Sequence, residues 1–130
     1  MICPKCKDAM VTLELNNVEI DRCFGCGGVW LDEGELELLL CGSKLGEEIL
    51  FSILPQKKTR EKPVKCPICR KKMTKIISGR SESVILDKCE REHGIWLDGG
   101  ELEKILYMAD FGVDNEIYKF LKKIFGTKIK

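Results

Sequence analysis

The sequence of 130 residues has a single histidine, four prolines and two tryptophans, and it lacks any long apolar run. Its longest apolar segment, residues 49–54, is far shorter than the roughly 20 residues that span a bilayer, which argues against a membrane-spanning helix. The first residues, MICPKC, show neither the basic segment nor the apolar run and cleavage site of a secretory signal. We therefore expect a cytoplasmic protein whose thiols stay reduced and which has no membrane partner.

Cysteine, in contrast, is abundant, with eight residues in this short chain. Such a number indicates either a disulfide framework or metal sites, and disulfides persist only in oxidising compartments. Because we expect a reducing compartment, the pattern favours metal sites. One cysteine, Cys41, has no cysteine counterpart in the repeat described next, and we interpret it as a packed thiol outside any metal site.

The two halves of the chain resemble each other. The first half contains CPKC and later IDRCFGCGGVWLDEGELELLL, and the second contains CPIC and later LDKCEREHGIWLDGGELEKIL. Cys3 and Cys66 are 63 positions apart, whereas Trp30 and Trp96 are 66 apart, so the second copy has three additional residues between its two metal-binding turns. Such a repeat indicates two copies of one structural unit, with the insertion in a loop.

Each copy carries a β-hairpin pattern between these turns. In the first copy, VTLEL and VEID alternate apolar and polar residues on either side of Asn16 and Asn17, which suit a two-residue turn. In the second copy, Ile77 and Ile85 replace the outward glutamates of the first, so that face needs cover from the chain or from a partner. The predicted cross-strand pairs of the first hairpin are Leu15 with Val18, Leu13 with Ile20, and Glu14 with Glu19.

Each tryptophan is followed by a helix start. Asp32 and Glu35, and likewise Asp98 and Glu101, have the spacing of a helix N-cap and its third helical residue. The apolar positions that follow are typical of helices that pack onto the hairpins, with a membrane-surface or partner helix as the alternative. The tryptophans are interpreted as packing against the hairpins, with base stacking as the alternative. The predicted helices run from these two starts to about residues 40 and 109, and over residues 44–54 and 114–125.

The first copy has a strong metal-site pattern. Two Cys-x-x-Cys turns, Cys3 with Cys6 and Cys23 with Cys26, are separated by 16 residues, a spacing that a hairpin closes into a tetrahedral site of four thiolates. A unit of about 50 residues has too small a core to be stable without such a cross-link. We therefore predict a zinc ion held by all four side chains, with metal-free structural cysteines as the alternative.

The second copy offers three cysteines, Cys66, Cys69 and Cys89, but Glu92 stands where the fourth would be, and His93 follows it. Imidazole completes common sites of three cysteines and one histidine, so we predict His93 as the fourth ligand, with Glu92 as the alternative. The expected content is two zinc ions per chain.

Iron is the rival metal, because two Cys-x-x-Cys turns also describe rubredoxin-like electron carriers. A repeat that accepts histidine in one copy favours zinc, which has no redox role to preserve. Protein ligands fill all four positions of each predicted site, and the single histidine is used as a ligand, so neither an activated water nor a histidine base remains. We therefore expect no enzymatic activity and no small-molecule substrate.

The string of Cys-x-x-Cys, Gly-Gly, Val-Trp-Leu-Asp and Gly-Glu-Leu-Glu resembles the bacterial and archaeal zinc-finger family named for its similarity to the transcription factor IIB zinc ribbon. The resemblance covers about residues 1–40 and 64–106. It implies a zinc ribbon followed by a short helix in each copy, with transcription as the expected context. The second copy departs from the motif at Glu92 and His93.

The charges are unevenly distributed. Residues 1–54 carry 4 basic and 10 acidic side chains, and residues 55–130 carry 18 and 11. Residues 55–80 alone hold ten basic side chains against Glu61, which is typical of a segment that follows a phosphate backbone, with a solvated linker as the alternative. The candidate nucleic-acid contacts are Lys57, Lys58, Arg60, Lys62, Lys65, Arg70, Lys71, Lys72 and Lys75.

Together these patterns predict a small zinc-dependent α+β protein of two tandem zinc-ribbon β-hairpin units, each followed by short helices. The predicted boundaries are residues 1–54 for the first ribbon and its helices, 55–64 for a basic linker, and 65–130 for the second ribbon and its helices. The leading hypothesis is a non-catalytic module that binds nucleic acid or a protein of the transcription machinery. A protein-interaction adaptor without nucleic-acid binding is the second hypothesis, and a rubredoxin-like redox protein is the third.

Overall fold

The computed structural model describes residues 1–15, 18–40, 44–51, 53–55, 62–78 and 84–108. Within these ranges the chain forms an α+β fold of antiparallel strands and short helices, as the sequence predicts. The strands are β1 (Val11–Leu15), β2 (Val18–Arg22), β3 (Val29–Asp32), β4 (Leu54–Pro55), β5 (Thr74–Ser78), β6 (Val84–Lys88) and β7 (Gly94–Leu97). The helices are α1 (Glu35–Leu40), α2 (Lys44–Phe51) and α3 (Glu101–Met108).

The strands form one antiparallel sheet in the order β1, β2, β3, β7, β6, β5, β4. All the pairs predicted for the first hairpin are present, including Leu13 opposite Ile20, while the turn residues Asn16 and Asn17 lie outside the described ranges. In the second hairpin Ile77 lies opposite Ile85, also as predicted. The three additional residues of the second copy fall between β5 and β6, which residues 79–83 connect.

The two ribbons meet in the middle of the sheet through β3 and β7. Trp30 pairs with Trp96, and Leu31 pairs with Ile95 on one side of them. Because the two tryptophans are equivalent positions of the repeat, this register relates the ribbons by a pseudo-two-fold axis that passes between Trp30 and Trp96. The ribbons therefore share one sheet, and the domain boundaries at residues 54/55 and 64/65 stay a prediction.

The main apolar core lies on the face of the sheet that the helices cover. Successive strand residues point to opposite faces, so Val29 and Leu31 enter this core and Trp30 points away from it. Since both ribbons contribute, the core joins them. Its buried residues are Val18, Ile20, Val29, Leu31, Leu36, Leu39, Leu40, Ile49, Ile76, Val84, Leu86, Ile95, Leu97, Leu102 and Ile105.

The helix starts are held by side-chain caps of the predicted kind. The Glu35 Oε1 accepts the backbone N–H of Asp32 at 2.7 Å, and Glu101 Oε1 accepts that of Asp98 at the same distance. Each bond satisfies one of the amide donors that a helix leaves unpaired at its first turn. Within the described ranges, none of the helices has the length and apolar character needed to cross a bilayer.

One predicted helix end is wrong. The helix predicted over residues 44–54 ends at Phe51, and Leu54 and Pro55 form β4, which pairs with Ile77 and Ile76 at the edge of the sheet. Proline is compatible with an edge strand because its missing N–H faces away from the ladder. This short strand lies beside Ile77, which is half-buried as a result. Cys41 and the helix predicted over residues 114–125 lie outside the described ranges.

Candidate metal centres and the surface around them

The first candidate centre is formed by Cys3, Cys6, Cys23 and Cys26, whose sulfur atoms all lie within 4.8 Å of one another. The Cys3 and Cys26 Sγ atoms are 3.8 Å apart. A tetrahedron of sulfurs about 2.3 Å from a zinc ion has edges of about 3.8 Å. The four side chains therefore fit one zinc ion.

The second candidate centre combines Cys66, Cys69 and Cys89 with His93, again with all ligand atoms within 4.8 Å of one another. The Cys69 and Cys89 Sγ atoms are 3.7 Å apart, and His93 Nδ1 lies 3.4 Å from the Cys89 Sγ. These separations fit a second zinc ion with imidazole as the fourth ligand. Glu92, the alternative ligand, is an exposed residue outside this cluster.

The backbone of the fourth ligand turn explains how histidine takes the place of cysteine. In the other three turns, the residue just after the second cysteine has a positive φ, for example Lys7 at 66°, and its N–H donates to the carbonyl of the first cysteine, Cys3, at 3.0 Å. In the fourth turn Glu92 has a φ of 62°, and its N–H donates to the Cys89 carbonyl at 3.0 Å. The residue with positive φ is therefore the third after the first ligand in the fourth turn, whereas it is the fourth after the first ligand in the other three turns. It directly precedes His93.

The ligand turn that begins at Cys89 nevertheless has the same overall length as the equivalent turn of the first ribbon, which begins at Cys23. The Cys23 N–H donates to the Gly28 carbonyl at 3.0 Å, and the Cys89 N–H donates to the Gly94 carbonyl at 3.1 Å. Both bonds span five residues. The ligand has therefore moved by one position inside a turn of unchanged length, and the longer imidazole side chain reaches the centre from there.

Both tryptophans are packed inside the protein and are not platforms for bases. Trp30 and Trp96 have no exposed surface and lie in one buried cluster with ligands of both centres, among them Cys3 and Cys66. Each indole Nε1–H donates to the carboxylate two residues later, at 2.9 Å to Asp32 and 3.1 Å to Asp98. The packing interpretation of the tryptophans is confirmed.

The glycine two residues before each tryptophan, Gly28 or Gly94, lies against the tryptophan of the other ribbon. A Cβ added at Gly28 would lie 2.2 Å from Cζ2 of Trp96. One added at Gly94 would lie 2.2 Å from the Leu31 carbonyl oxygen and 2.7 Å from Cζ2 of Trp30, both in the other ribbon. Real Cβ atoms do not approach other atoms this closely. The glycine and tryptophan of the motif therefore hold the two ribbons together, a role that is not evident from either copy alone.

The helix start of each ribbon also reaches the metal centre of the other. Lys5, in the first ligand turn, forms a salt bridge with Asp98 at 2.7 Å, and a Cβ at Gly99 would lie 2.6 Å from the Cys26 carbonyl oxygen. In the reverse direction, the Glu33 N–H donates to the His93 carbonyl at 3.2 Å. The two centres are thus braced by the opposite ribbon.

Burial affects the chemistry of the ligand thiols. It raises the pKa of the Cys66 thiol to about 11 and also raises the pKa of the Cys26 thiol. Without metal, these thiols therefore carry protons at neutral pH. Because zinc binds the thiolate, the ion has to displace these protons, and binding becomes weaker as the pH falls.

The predicted nucleic-acid contacts fall into an exposed group, a group outside the described ranges, and the buried Lys75. Lys62, Lys65, Arg70, Lys71 and Lys72 are exposed. Lys57, Lys58 and Arg60 lie outside the described ranges.

Lys75 is the member of the predicted set that the structure contradicts. It is buried, and its Nζ lies 2.7 Å from Oδ1 of Asp87, with the two side chains 9% and 1% exposed. A buried ion-paired lysine does not reach a phosphate, so its assignment as a nucleic-acid contact was wrong. The signal for this pair was present in the hairpin register, which places Lys75 opposite Asp87.

A comparison with known families agrees with this geometry. The family described as transcription factor zinc-finger, a zinc ribbon of the transcription factor IIB type, matches residues 2–42 and 65–107. No curated protein and no solved structure matches the chain. The two matched ranges contain every residue of both candidate centres and both tryptophans. The chain therefore belongs to the transcription factor zinc-finger family, which it represents with two tandem zinc ribbons.

Proposed function

We propose that this protein is a non-catalytic, zinc-stabilised module that binds nucleic acid in transcription or a related process. Its two centres each have four protein ligands, the arrangement in which zinc stabilises a fold. Zinc bound there would cross-link the ligand turns, and no ligand position would remain for an activated water. Zinc-ribbon proteins of this family are typically not enzymes, which agrees with the proposal.

The observation that carries the proposal is a group of exposed cations on the first ligand turn of the second ribbon. Lys65, Arg70, Lys71 and Lys72 are all exposed, and within the described part of the chain none of them forms a salt bridge. Such a group is the electrostatic signature of a surface that binds phosphates.

The backbone holds part of this group together. Lys65 and Lys72 are paired directly across an antiparallel bridge. Like charges placed opposite each other repel, so this pairing lowers stability unless an anion lies nearby. A phosphate backbone supplies such an anion, whereas a solvated linker would gain nothing from the arrangement.

The salt dependence of binding tests the proposal. Each lysine that neutralises a phosphate releases condensed counterions, so affinity should fall steeply as salt rises. Replacing Lys57, Lys58, Lys71 and Lys72 with Gln should flatten the plot of log affinity against log salt by roughly one unit per lost contact. Fluorescence anisotropy with labelled single-stranded and duplex oligonucleotides measures this, and zinc content checks the fold.

Two outcomes would contradict nucleic-acid binding. One is a lack of binding at about 0.15 M salt, where the Debye length is about 8 Å and diffuse attraction is largely screened. The other is binding that does not respond to the four substitutions. Either result would favour the second candidate function.

That second candidate is a protein-interaction adaptor. It is favoured by the acidic first ribbon, where Leu38 on α1 is 59% exposed and follows the acidic residue Glu37. A pull-down from lysate with and without nuclease separates the two candidates. Partners lost after nuclease treatment support nucleic-acid binding, and partners that are retained support the adaptor.

A further inference from the structure

An open cleft lies between the first ligand turns of the two ribbons. Both ribbons line it, with a volume of about 530 Å³, which is in the range of sites that hold a small organic molecule. Its walls include Ile2, Pro4 and Lys7 from the first ribbon and Lys65, Pro67 and Arg70 from the second.

The cleft is built from equivalent positions of the repeat. Pro4 corresponds to Pro67, and Lys7 corresponds to Arg70, because both pairs are 63 positions apart like the first cysteines. The shared sheet fixes the two ribbons to each other, so the two halves of the cleft have a constant separation. A ligand in the cleft would contact both ribbons at once.

Apart from the thiols of the metal ligands Cys3 and Cys66, the ionisable side chains that line the cleft are all cations. Lys7, Lys65 and Arg70 line it, and no carboxylate side chain does so within the described part of the chain. The Nζ of Lys7 lies 3.3 Å from the Pro4 carbonyl oxygen, which keeps this cation at the cleft wall. The cleft is therefore suited to an anion.

The backbone places two of these cations at the same point of two equivalent turns. Lys7 and Arg70 both have a φ in the left-handed region, at 66° and 62°, and each directly follows the second cysteine of its ligand turn. Their side chains therefore start from matching positions on the two sides of the cleft.

The apolar part of the cleft distinguishes among anions. Ile2 is 52% exposed and lies beside the cations, and Pro4 and Pro67 add apolar surface. Free phosphate or a duplex backbone would leave this surface unused, since a duplex keeps its bases stacked inside. Unstacked bases of a single strand have apolar faces that pack on such surfaces next to a basic groove.

We propose that the cleft holds one or two nucleotides of a single-stranded nucleic acid, with phosphates at Lys7, Lys65 and Arg70 and a base against Ile2. The inference rests on the proposed function and specifies it further: one strand passes between the ribbons and contacts both. Preference for a single strand over a duplex follows, because only unstacked nucleotides fit between the turns.

The test compares two double variants that lose the same charge. Lys7→Gln with Arg70→Gln alters the cleft, and Lys44→Gln with Arg91→Gln removes one lysine and one arginine at exposed positions that neither line the cleft nor belong to the proposed phosphate contacts. With a labelled oligothymidylate of about 12 nucleotides at about 0.15 M salt, the cleft variant should lose about tenfold more affinity than the matched control. Zinc content and circular dichroism verify that both variants fold.

Two further measurements address the base and the strand. Ile2→Ser should weaken single-strand binding about fivefold without changing its salt dependence, because no phosphate contact is lost. A duplex of the same length should bind more weakly than the single strand. In the unmodified protein, photo-cross-linking of a strand that carries 4-thiothymidine should label the peptides that contain Ile2 or Pro67.

The outcomes separate the inference from the proposed function. If neither strand form binds, the proposed function fails and the cleft inference fails with it. If nucleic acid binds but the two double variants lose equal affinity, the duplex binds as tightly, or the cross-links lie only outside the cleft, the cleft inference alone is overturned. Displacement of the strand by polyglutamate at equal charge concentration would overturn it as well and assign the cleft to acidic proteins.

Discussion

Replacing Gly28 with alanine should destabilise both ribbons, although the change lies in only one of them. The added Cβ would lie 2.2 Å from Cζ2 and 2.4 Å from Cη2 of Trp96. Ordinary contacts begin at 3.4 Å, so the ring has to move by about 1.2 Å, the difference between 3.4 and 2.2 Å. Trp96 has no exposed surface and packs in the cluster that contains Cys66 and Cys89, so this shift reaches the second metal centre.

The size of the effect follows from overpacking in a rigid core. Inserting a methyl group into a well-packed interior costs about 1 to 3 kcal/mol, and the fully buried indole places Gly28→Ala near the upper limit, at about 3 kcal/mol. For a domain of this size, such a loss corresponds to a decrease of about 10 °C in the melting temperature. Zinc should also leave the second centre more readily when a chelator is added.

Differential scanning calorimetry measures the melting temperature, and a chromogenic chelator measures the rate of zinc release. Gly34→Ala is a control without a clash, because a Cβ there would meet no atom within 4 Å. Gly34 has a φ of 89°, so this control carries backbone strain of about 1 kcal/mol, whereas Gly28 has no positive φ. The excess of Gly28→Ala over Gly34→Ala is therefore a lower limit for the cost of the clash with Trp96.

A double-mutant cycle can refute this reasoning. Phenylalanine lacks the outer ring that holds Cζ2 and Cη2, so Trp96→Phe makes space for the new Cβ. Gly28→Ala should then cost about 1 to 2 kcal/mol less in the Trp96→Phe background than in the wild type. Additive losses, or unchanged zinc release from the second centre, would show that Gly28 and Trp96 do not couple the ribbons.

Elemental analysis should find two zinc ions per chain, and a content near one or an iron-loaded red protein would revive the electron-carrier hypothesis. His93→Ala should lower the zinc content to one ion per chain, whereas Glu92→Ala should retain both ions. The two ribbons of His93→Ala should still unfold in a single thermal transition, because they share a sheet, and two separate thermal transitions would indicate independent units. Lys75→Met should reduce the free energy of unfolding by about 3 kcal/mol, measured with urea, because it leaves a buried carboxylate without its lysine. The exposed Lys71→Met should change it by less than about 0.5 kcal/mol. The zinc affinity, corrected for the protonation of the competing chelator, should fall as the pH is lowered from 7 to 5, because the Cys66 thiol has a pKa of about 11 without metal and releases its proton when zinc binds. A corrected affinity that is constant over this range would contradict the proton release expected on binding.

The local features of this protein were predictable from its sequence because neighbouring residues determine them. The spacing of the cysteines, the alternation around Asn16 and Asn17, and the acidic residues after each tryptophan specify ligand turns, hairpin pairs and helix caps within short segments. The same sequence left His93 and Glu92 as competing ligands, because the choice depends on where the chain reverses inside one turn. The predicted end of α2 at residue 54 is wrong, because the pairing of Leu54 with Ile77 is a contact between residues far apart in the sequence.

The joining of the ribbons depends on tertiary structure. A repeat indicates that two units exist, but the register of β3 against β7 is set by contacts between residues about 66 positions apart, and these include the packing of each tryptophan on the glycine of the other ribbon. Charge counts likewise include Lys75 in the basic segment, and only the fold shows that Asp87 neutralises it in the interior. The cleft between Lys7 and Arg70 exists because the shared sheet brings two distant ligand turns together, whereas the sequence alone determines only that each turn carries a cation.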